Sequence, residues 1–140
     1  MTLFYYSRER DHNAKRLEAA IHSVIPEGKI EPFEKLEDLR ERLRRPVESD
    51  SIAVLSALNH EELRQLQPLR KLLPEIYVVL VIPDRKESTV DLAHLMLPRF
   101  LSQRHEDFTH LGEVLKKMYK KSLSPPNYFN ERFSQESSND

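Results

Sequence analysis

Apolar residues along this chain fall into two alternating patterns. Short, nearly unbroken apolar runs are separated by longer stretches in which apolar residues recur every three or four positions. The run Ile52-Ala53-Val54-Leu55, opened by Asp50-Ser51 and closed by Ser56, reads as a strand buried on both faces of a parallel sheet. Ile76-Tyr77-Val78-Val79-Leu80-Val81-Ile82 is the strongest run of this kind. Leu3-Phe4-Tyr5-Tyr6 is a short aromatic strand, and Arg99-Phe100-Leu101-Ser102 a short fifth one. Lys29 to Phe33 is a weak strand; Pro32 has no N–H to give to a ladder, which places the segment at a sheet edge or a strand end.

Between these runs the spacing turns helical. Ala14, Leu17, Ala20, Ile21, Val24 and Ile25 form one stripe that Pro26-Glu27-Gly28 terminates, and Leu36, Leu39 and Leu43 mark a second, otherwise charged helix. Asn59 is a good cap for a third helix, with Glu61 and Glu62 in the first turn where negative charge complements the dipole. Its stripe, Leu63, Leu66, Leu69, Leu72 and Leu73, is interrupted by Pro68, so a kink or restart is expected near Gln67. A fourth helix spans about Ser88 to Leu97, and Phe108, Leu111, Val114, Leu115, Met118 and Tyr119 define a fifth. Strands alternating with helices over short connections predict a doubly wound three-layer α/β sandwich, a five-stranded parallel sheet in the order 2-1-3-4-5. The domain covers residues 1–121, and 122–140 form a Ser/Pro/Asn-rich tail.

Composition narrows the function classes. The 22 basic and 23 acidic residues nearly cancel, so no global field draws the chain to nucleic acid or to an anionic membrane surface. Cysteine is absent, which removes disulfides, thiolate nucleophiles and Cys-type zinc sites and fits a cytoplasmic location. No basic-plus-apolar leader precedes the first strand, and no apolar run approaches the roughly 18 residues of a membrane span. Two glycines, Gly28 and Gly112, cannot build a glycine-rich phosphate loop. The six histidines, His12, His22, His60, His94, His105 and His110, form no i,i+4 pair on one helix, so no zinc site is expected. Arg40, Arg42, Arg44 and Arg45, interleaved with Glu37 and Glu41 near a helix C-terminus, read as a solvated face.

The element order, the stretch Leu36 to Leu55 and the segment Arg99-Phe100-Leu101-Ser102-Gln103 before the last helix resemble the receiver domain of bacterial two-component response regulators, a flavodoxin-like fold. The resemblance covers about residues 2 to 121. It implies an acidic pair after strand 1 for Mg²⁺, a phosphoaccepting aspartate after strand 3, a hydroxyl after strand 4 and a lysine after strand 5. Those positions hold Tyr6 and Ser7, Ser56, Val81 or Ile82, and Ser102 or Gln103. A serine is neither a strong ligand for a hard cation nor a precursor of an acyl phosphate. The chain is therefore expected to be a degenerate pseudo-receiver with Ser56 at the phosphoacceptor position, a vestigial pocket of Ser7, Asn59, Asp84 and Gln103, no catalytic residue, no metal and no cofactor. Ser56 also lacks a histidine at triad spacing.

Phe4-Tyr5-Tyr6-Ser7-Arg8, and Val54-Leu55-Ser56 followed by Glu61-Glu62-Leu63, are similar to short segments of the Toll/interleukin-receptor domain. That second resemblance implies an NAD hydrolase using a glutamate on the helix after strand 3, without the tryptophan and cysteine common around it.

Val90, Leu92, Ala93, Leu95, Met96 and Leu97 cover a wider arc of the fourth helix than docking on a sheet requires. In receivers, the face of helix 4, strand 5 and helix 5 is the usual dimerisation surface. Leu92, Leu95, Met96 and Phe100 are accordingly expected to contact a protein partner or a second copy in a homodimer. The bland reading is that this surface packs under the tail aromatics Tyr128, Phe129 and Phe133.

Overall fold

The computed structural model describes residues 1–124. Its strands are β1 (Leu3–Ser7), β2 (Ile30–Phe33), β3 (Ile52–Ser56), β4 (Tyr77–Ile82) and β5 (Phe100–Gln103). The helices are α1 (His12–His22), α2 (Leu36–Leu43), α3 (His60–Leu66), α4 (Glu87–His94) and α5 (Thr109–Leu123). All strands are parallel, in the order β2-β1-β3-β4-β5, a flavodoxin-like α/β fold. This matches the order expected from the sequence.

Burial explains the unbroken apolar runs. All five residues of β1 and all five of β3 are buried, as a sheet covered on both faces demands. One face carries Phe4, Tyr6, Leu55 and Leu80 against Leu39 and Leu43 of α2 and Leu63 and Leu66 of α3, with Ala93 of α4. The other carries Leu3, Tyr5, Val54 and Val79 against Leu17 and Ile21 of α1 and Leu111 and Leu115 of α5. Each fully buried leucine contributes roughly 1.5–3 kcal/mol relative to exposure.

Local signals set the helix ends. Asp11 caps α1 by accepting the Ala14 N–H at 2.9 Å, and Asn59 caps α3 by accepting the Glu62 N–H at 2.8 Å. At Pro68 α3 stops, and the chain continues as a 3-10 turn over Gln67–Leu72, the expected restart. β2 takes the edge that Pro32 predicted. No helix among the described residues is long and apolar enough to cross a membrane.

Two boundaries differ from the sequence pattern. α4 ends at His94 because Leu97 adopts a left-handed backbone, φ 52°, that no helix can continue through. Leu95, Met96 and Leu97 thus belong to the connection into β5, and the wide apolar arc splits. Met96 turns inward and is fully buried, whereas Leu95 and Leu97 are 65% and 66% exposed. α5 runs through Leu123, into the start of the expected tail. Tyr128, Phe129 and Phe133 lie outside the described residues.

Leucine at a left-handed position carries a backbone penalty of about 1–2 kcal/mol that glycine avoids, offset in part by glycine's greater freedom in the unfolded chain. Leu97→Gly is expected to stabilise the fold by about 0.5–1 kcal/mol, seen as a higher urea midpoint. A lower midpoint would mean that the leucine side chain holds more than the backbone loses.

Candidate functional site at the carboxyl rim of the sheet

Parallel strands end on one rim, and their register sets side chains in rows across it. Ser7 pairs with Ser56, Ser56 with Val81, and Val81 with Ser102. Alternation along each strand places this row on the face covered by α1 and α5. Of the positions that the receiver resemblance pointed to, Ser7, Ser56, Val81 and Ser102 form this row, while Tyr6 and Ile82 lie on the opposite face. The serines are all buried. The Ser7 hydroxyl donates to Glu9 O at 2.8 Å, and the Ser102 hydroxyl to Glu106 Oε1 at 3.2 Å. Among the described residues Ser56 makes no side-chain hydrogen bond.

Carboxylates do stand at this rim, and four of them, Asp11, Glu62, Asp84 and Glu106, are engaged by the chain itself. Asp11 accepts Ala14 N–H through Oδ1 and the Arg104 guanidinium through Oδ2 at 2.6 Å. Glu62, almost fully buried, accepts Leu58 N–H at 2.7 Å through one oxygen and the Tyr6 hydroxyl at 2.6 Å through the other. Asp84 accepts Lys86 N–H at 2.9 Å, closing its own turn. Glu106 accepts the Gln103 N–H at 3.0 Å and Ser102 through Oε1, and Arg85 at 3.0 Å through Oε2. Its carbonyl takes Arg16 Nη2 at 2.8 Å, and that guanidinium lies 5.3 Å from the Phe108 ring centre. Asn13 meets the His105 ring at 3.2 Å. These contacts sew the β5–α5 loop to the start of α1 and to the β4–α4 loop.

The electrostatics follow the contacts. The Ala14 amide, and then Arg104, hold the Asp11 carboxyl below its ordinary range. The Gln103 amide does the same for Glu106, with Arg85 and Ser102 adding to it. The Lys86 amide lowers Asp84. Burial, then the Glu62 carboxylate beside it, pushes the Tyr6 hydroxyl upward.

Several groups of the expected pocket are engaged within the chain. Ser7, Ser56, Asn59, Asp84 and Gln103 share the rim, yet Asn59 is spent as a cap, Asp84 on its turn, and Gln103 N–H on Glu106. Among the described residues no three His, Cys, Asp or Glu side chains gather as a metal-ion site. Of the two glutamates that the Toll-like resemblance pointed to, Glu62 faces the interior with both oxygens taken, and Glu61 lies on the exposed side of α3. Arg42 pairs with Glu31 at 2.9 Å and Arg44 with Glu41 at 3.0 Å, so this basic helix end is partly neutralised within the chain.

Of the expected interface residues, Leu95 is exposed, Leu92 and Phe100 are half-buried, and Met96 has no surface to offer. Leu92 and Leu95 edge a shallow depression beside His60, Arg64 and Asp91. Phe100 instead enters a groove of about 740 Å³ between β5 and α5.

No family model and no curated protein sequence matches the chain at a significant level. Solved structures match its fold. A candidate pilus assembly-related protein from Burkholderia pseudomallei superposes with a TM-score of 0.62 at 17% identity, over 86% of this chain and 90% of the other. A candidate pilus assembly protein, CpaE, from Burkholderia thailandensis gives a TM-score of 0.61 at 18% identity, over 86% and 98%. At these identities the likeness establishes the fold.

Removing the Tyr6 hydroxyl leaves a buried carboxylate oxygen without its donor, at a cost of about 1–3 kcal/mol. Tyr6→Phe should therefore lower the urea midpoint more than Tyr5→Phe, whose hydroxyl makes only a long 3.4 Å bond to Ala14 O; equal effects would deny Glu62 its role in holding α3 to β1. Depressed carboxyl groups contribute stability that is present above their unfolded pKa and lost as pH falls through the lower folded value. With ordinary values of 3.8 for Asp11 and 4.5 for Glu106, stability should decline below about pH 4.5. The pair Asp11→Asn and Glu106→Gln should flatten that decline in denaturation curves run down to about pH 3.

Proposed function

We propose that this chain is a receiver-like, non-phosphorylatable protein-interaction module of bacterial signalling or assembly machinery. In this reading it is cytoplasmic, has no enzymatic activity and no cofactor, and acts on a protein partner or a second copy through the α4, β5 and α5 side. The carrying observation is the serine row at the rim. Acyl phosphate formation needs a carboxylate nucleophile, and Mg²⁺ needs several free oxygen ligands. Ser56 stands at the acceptor position, and the rim carboxylates Asp11, Glu62 and Glu106 are held by amides, a tyrosine and two arginines. The named functions of the structural neighbours, in pilus assembly, support a bacterial assembly setting.

With the rim closed, the surface is what remains to act. Leu95 and Leu97 are large apolar side chains held out from the α4–β5 connection, one of them by a backbone that carries a conformational penalty. Unfavourable exposure and unfavourable backbone at one point are accounted for if a partner covers them.

Incubation with acetyl phosphate, or with beryllofluoride, in the presence of Mg²⁺ is expected to change neither intact mass nor oligomeric state. A stoichiometric Mg²⁺-dependent adduct overturns the reading, as does NAD turnover abolished by Glu61→Gln or Glu62→Gln. Leu95→Glu should abolish whatever association the wild-type chain shows in sedimentation while leaving the circular dichroism spectrum intact. Unchanged association with an intact fold would take the α4–β5 connection out of the account.

A further inference from the structure

The sheet order leaves two open edges, β2 and β5, and the chain treats them differently. At β2, Pro32 removes a donor and Glu31 is fixed by Arg42; prolines and charges are the usual means of blunting an edge against further pairing. β5 reads Phe100-Leu101-Ser102-Gln103, with neither charge nor proline. The Arg104 amide donates to Ile82 O of β4 at 2.9 Å, and amides along a strand point alternately to either side. Ser102 therefore also faces β4, whereas the backbone groups of Leu101 and Gln103 face the open edge.

Gln103 is already taken there. Its N–H donates to Glu106 Oε1 at 3.0 Å, and its carbonyl accepts the Glu106 N–H at 3.1 Å. Glu106 thus makes the two bonds that the first residue of a sixth strand would make, and Arg85 holds it in place. Among the described residues nothing pairs with the Leu101 backbone at this edge, beside the groove walled by Phe100, Leu111 and Val114.

We propose that Glu106 is a gate on the β5 edge, and that the strand it excludes is β5 of a second copy, added antiparallel to give a continuous ten-stranded sheet. Charge along α5 selects this occupant. Glu113 lies toward its N-terminal end, and Lys116, Lys117, Lys120 and Lys121 toward its C-terminal end. An antiparallel β5 pair is related by a two-fold axis normal to the sheet, so the two α5 helices run side by side in opposite directions. Glu113 of each copy then meets the Lys117 end of the other. Both residues line the groove at this edge. The pair centres on Leu101, which exchanges both backbone bonds with its counterpart, and once Glu106 swings away it extends by one bond at each end, from the Gln103 N–H to the Arg99 carbonyl of the other copy, the Arg99 N–H being held by Val78 O at 2.6 Å. The inference rests on the proposed interaction reading for its face, but requires strand pairing where that reading requires only side-chain contact.

The test is sedimentation velocity of full-length Glu106→Ala over a concentration series, paired with amide hydrogen exchange. Removing the gate should tighten self-association about tenfold over wild type, the order given by two additional backbone hydrogen bonds, and the Leu101 amide should gain protection in the dimer. Glu113→Lys should reverse the gain, and adding Lys117→Glu should restore it without touching β5. Glu106→Leu, which keeps comparable bulk and loses the acceptor, repeats the measurement in a second background. A folded Glu106→Ala or Glu106→Leu that associates like wild type overturns the gate, as does a tighter dimer in which Leu101 exchanges as in the monomer. If Leu95→Glu abolishes association while both Glu106 variants behave like wild type, the interaction reading stands and the gate falls.

Discussion

Covering a parallel sheet on both faces is the constraint from which the rest of this structure follows. β3 pairs with β1 on one side and β4 on the other, and none of its residues reaches solvent. Such a strand has only apolar side chains to spend until its last position, and its neighbours must be joined by helices that cross over and lay an apolar stripe on the sheet. Because every crossover runs the same way, all strands end on one rim. Polar loop groups concentrate there, and those that the packing buries need partners.

The chain meets that need from its own side chains. Arg104, which is nearly buried, answers Asp11; Tyr6 and a backbone amide answer Glu62; Arg85, Ser102 and Gln103 answer Glu106. In a phosphorylatable receiver the corresponding rim must keep oxygens free for a cation and a phosphoryl group. Here Asp11, Glu62 and Glu106 fasten loops and helix starts to one another, and on the proposed reading recognition moves to the outer side of β5 and α5 and to the leucines ahead of them.

The architecture was legible because its signals are local and redundant. Ile52 to Leu55 and Ile76 to Ile82 are apolar on both faces, Asn59 and Pro68 mark the start and the break of one helical segment, and Pro32 marks an edge. The end of α4 was not legible: periodicity continues through Met96 and Leu97, and nothing in the residue type announces that Leu97 takes a left-handed backbone usually given to glycine. That single torsion sends Met96 into the core and leaves Leu95 and Leu97 outside. Asn59 followed by Glu62 has the spacing of a capping box, a signal that could have moved Glu62 from the helix surface to its buried place. Arg104 and Glu106 carried no such signal, since their partners are Asp11, 93 positions away, and Arg85, 21 positions away, and only the fold brings them together.

The central claim is that, among the described residues, the carboxyl rim gathers no acidic ligand set for a cation, and paramagnetic relaxation tests it most directly. Mn²⁺ can be titrated into isotopically labelled protein at neutral pH while the amide signals of Ser7, Ser56, Ala57, Asp84 and Gln103 are followed. Broadening no greater than that of exposed acidic residues such as Glu37 and Asp38 on α2 is the expected result. Selective, saturable broadening centred on Ser56 and Ala57 would show a cation gathered at the rim and would contradict the account.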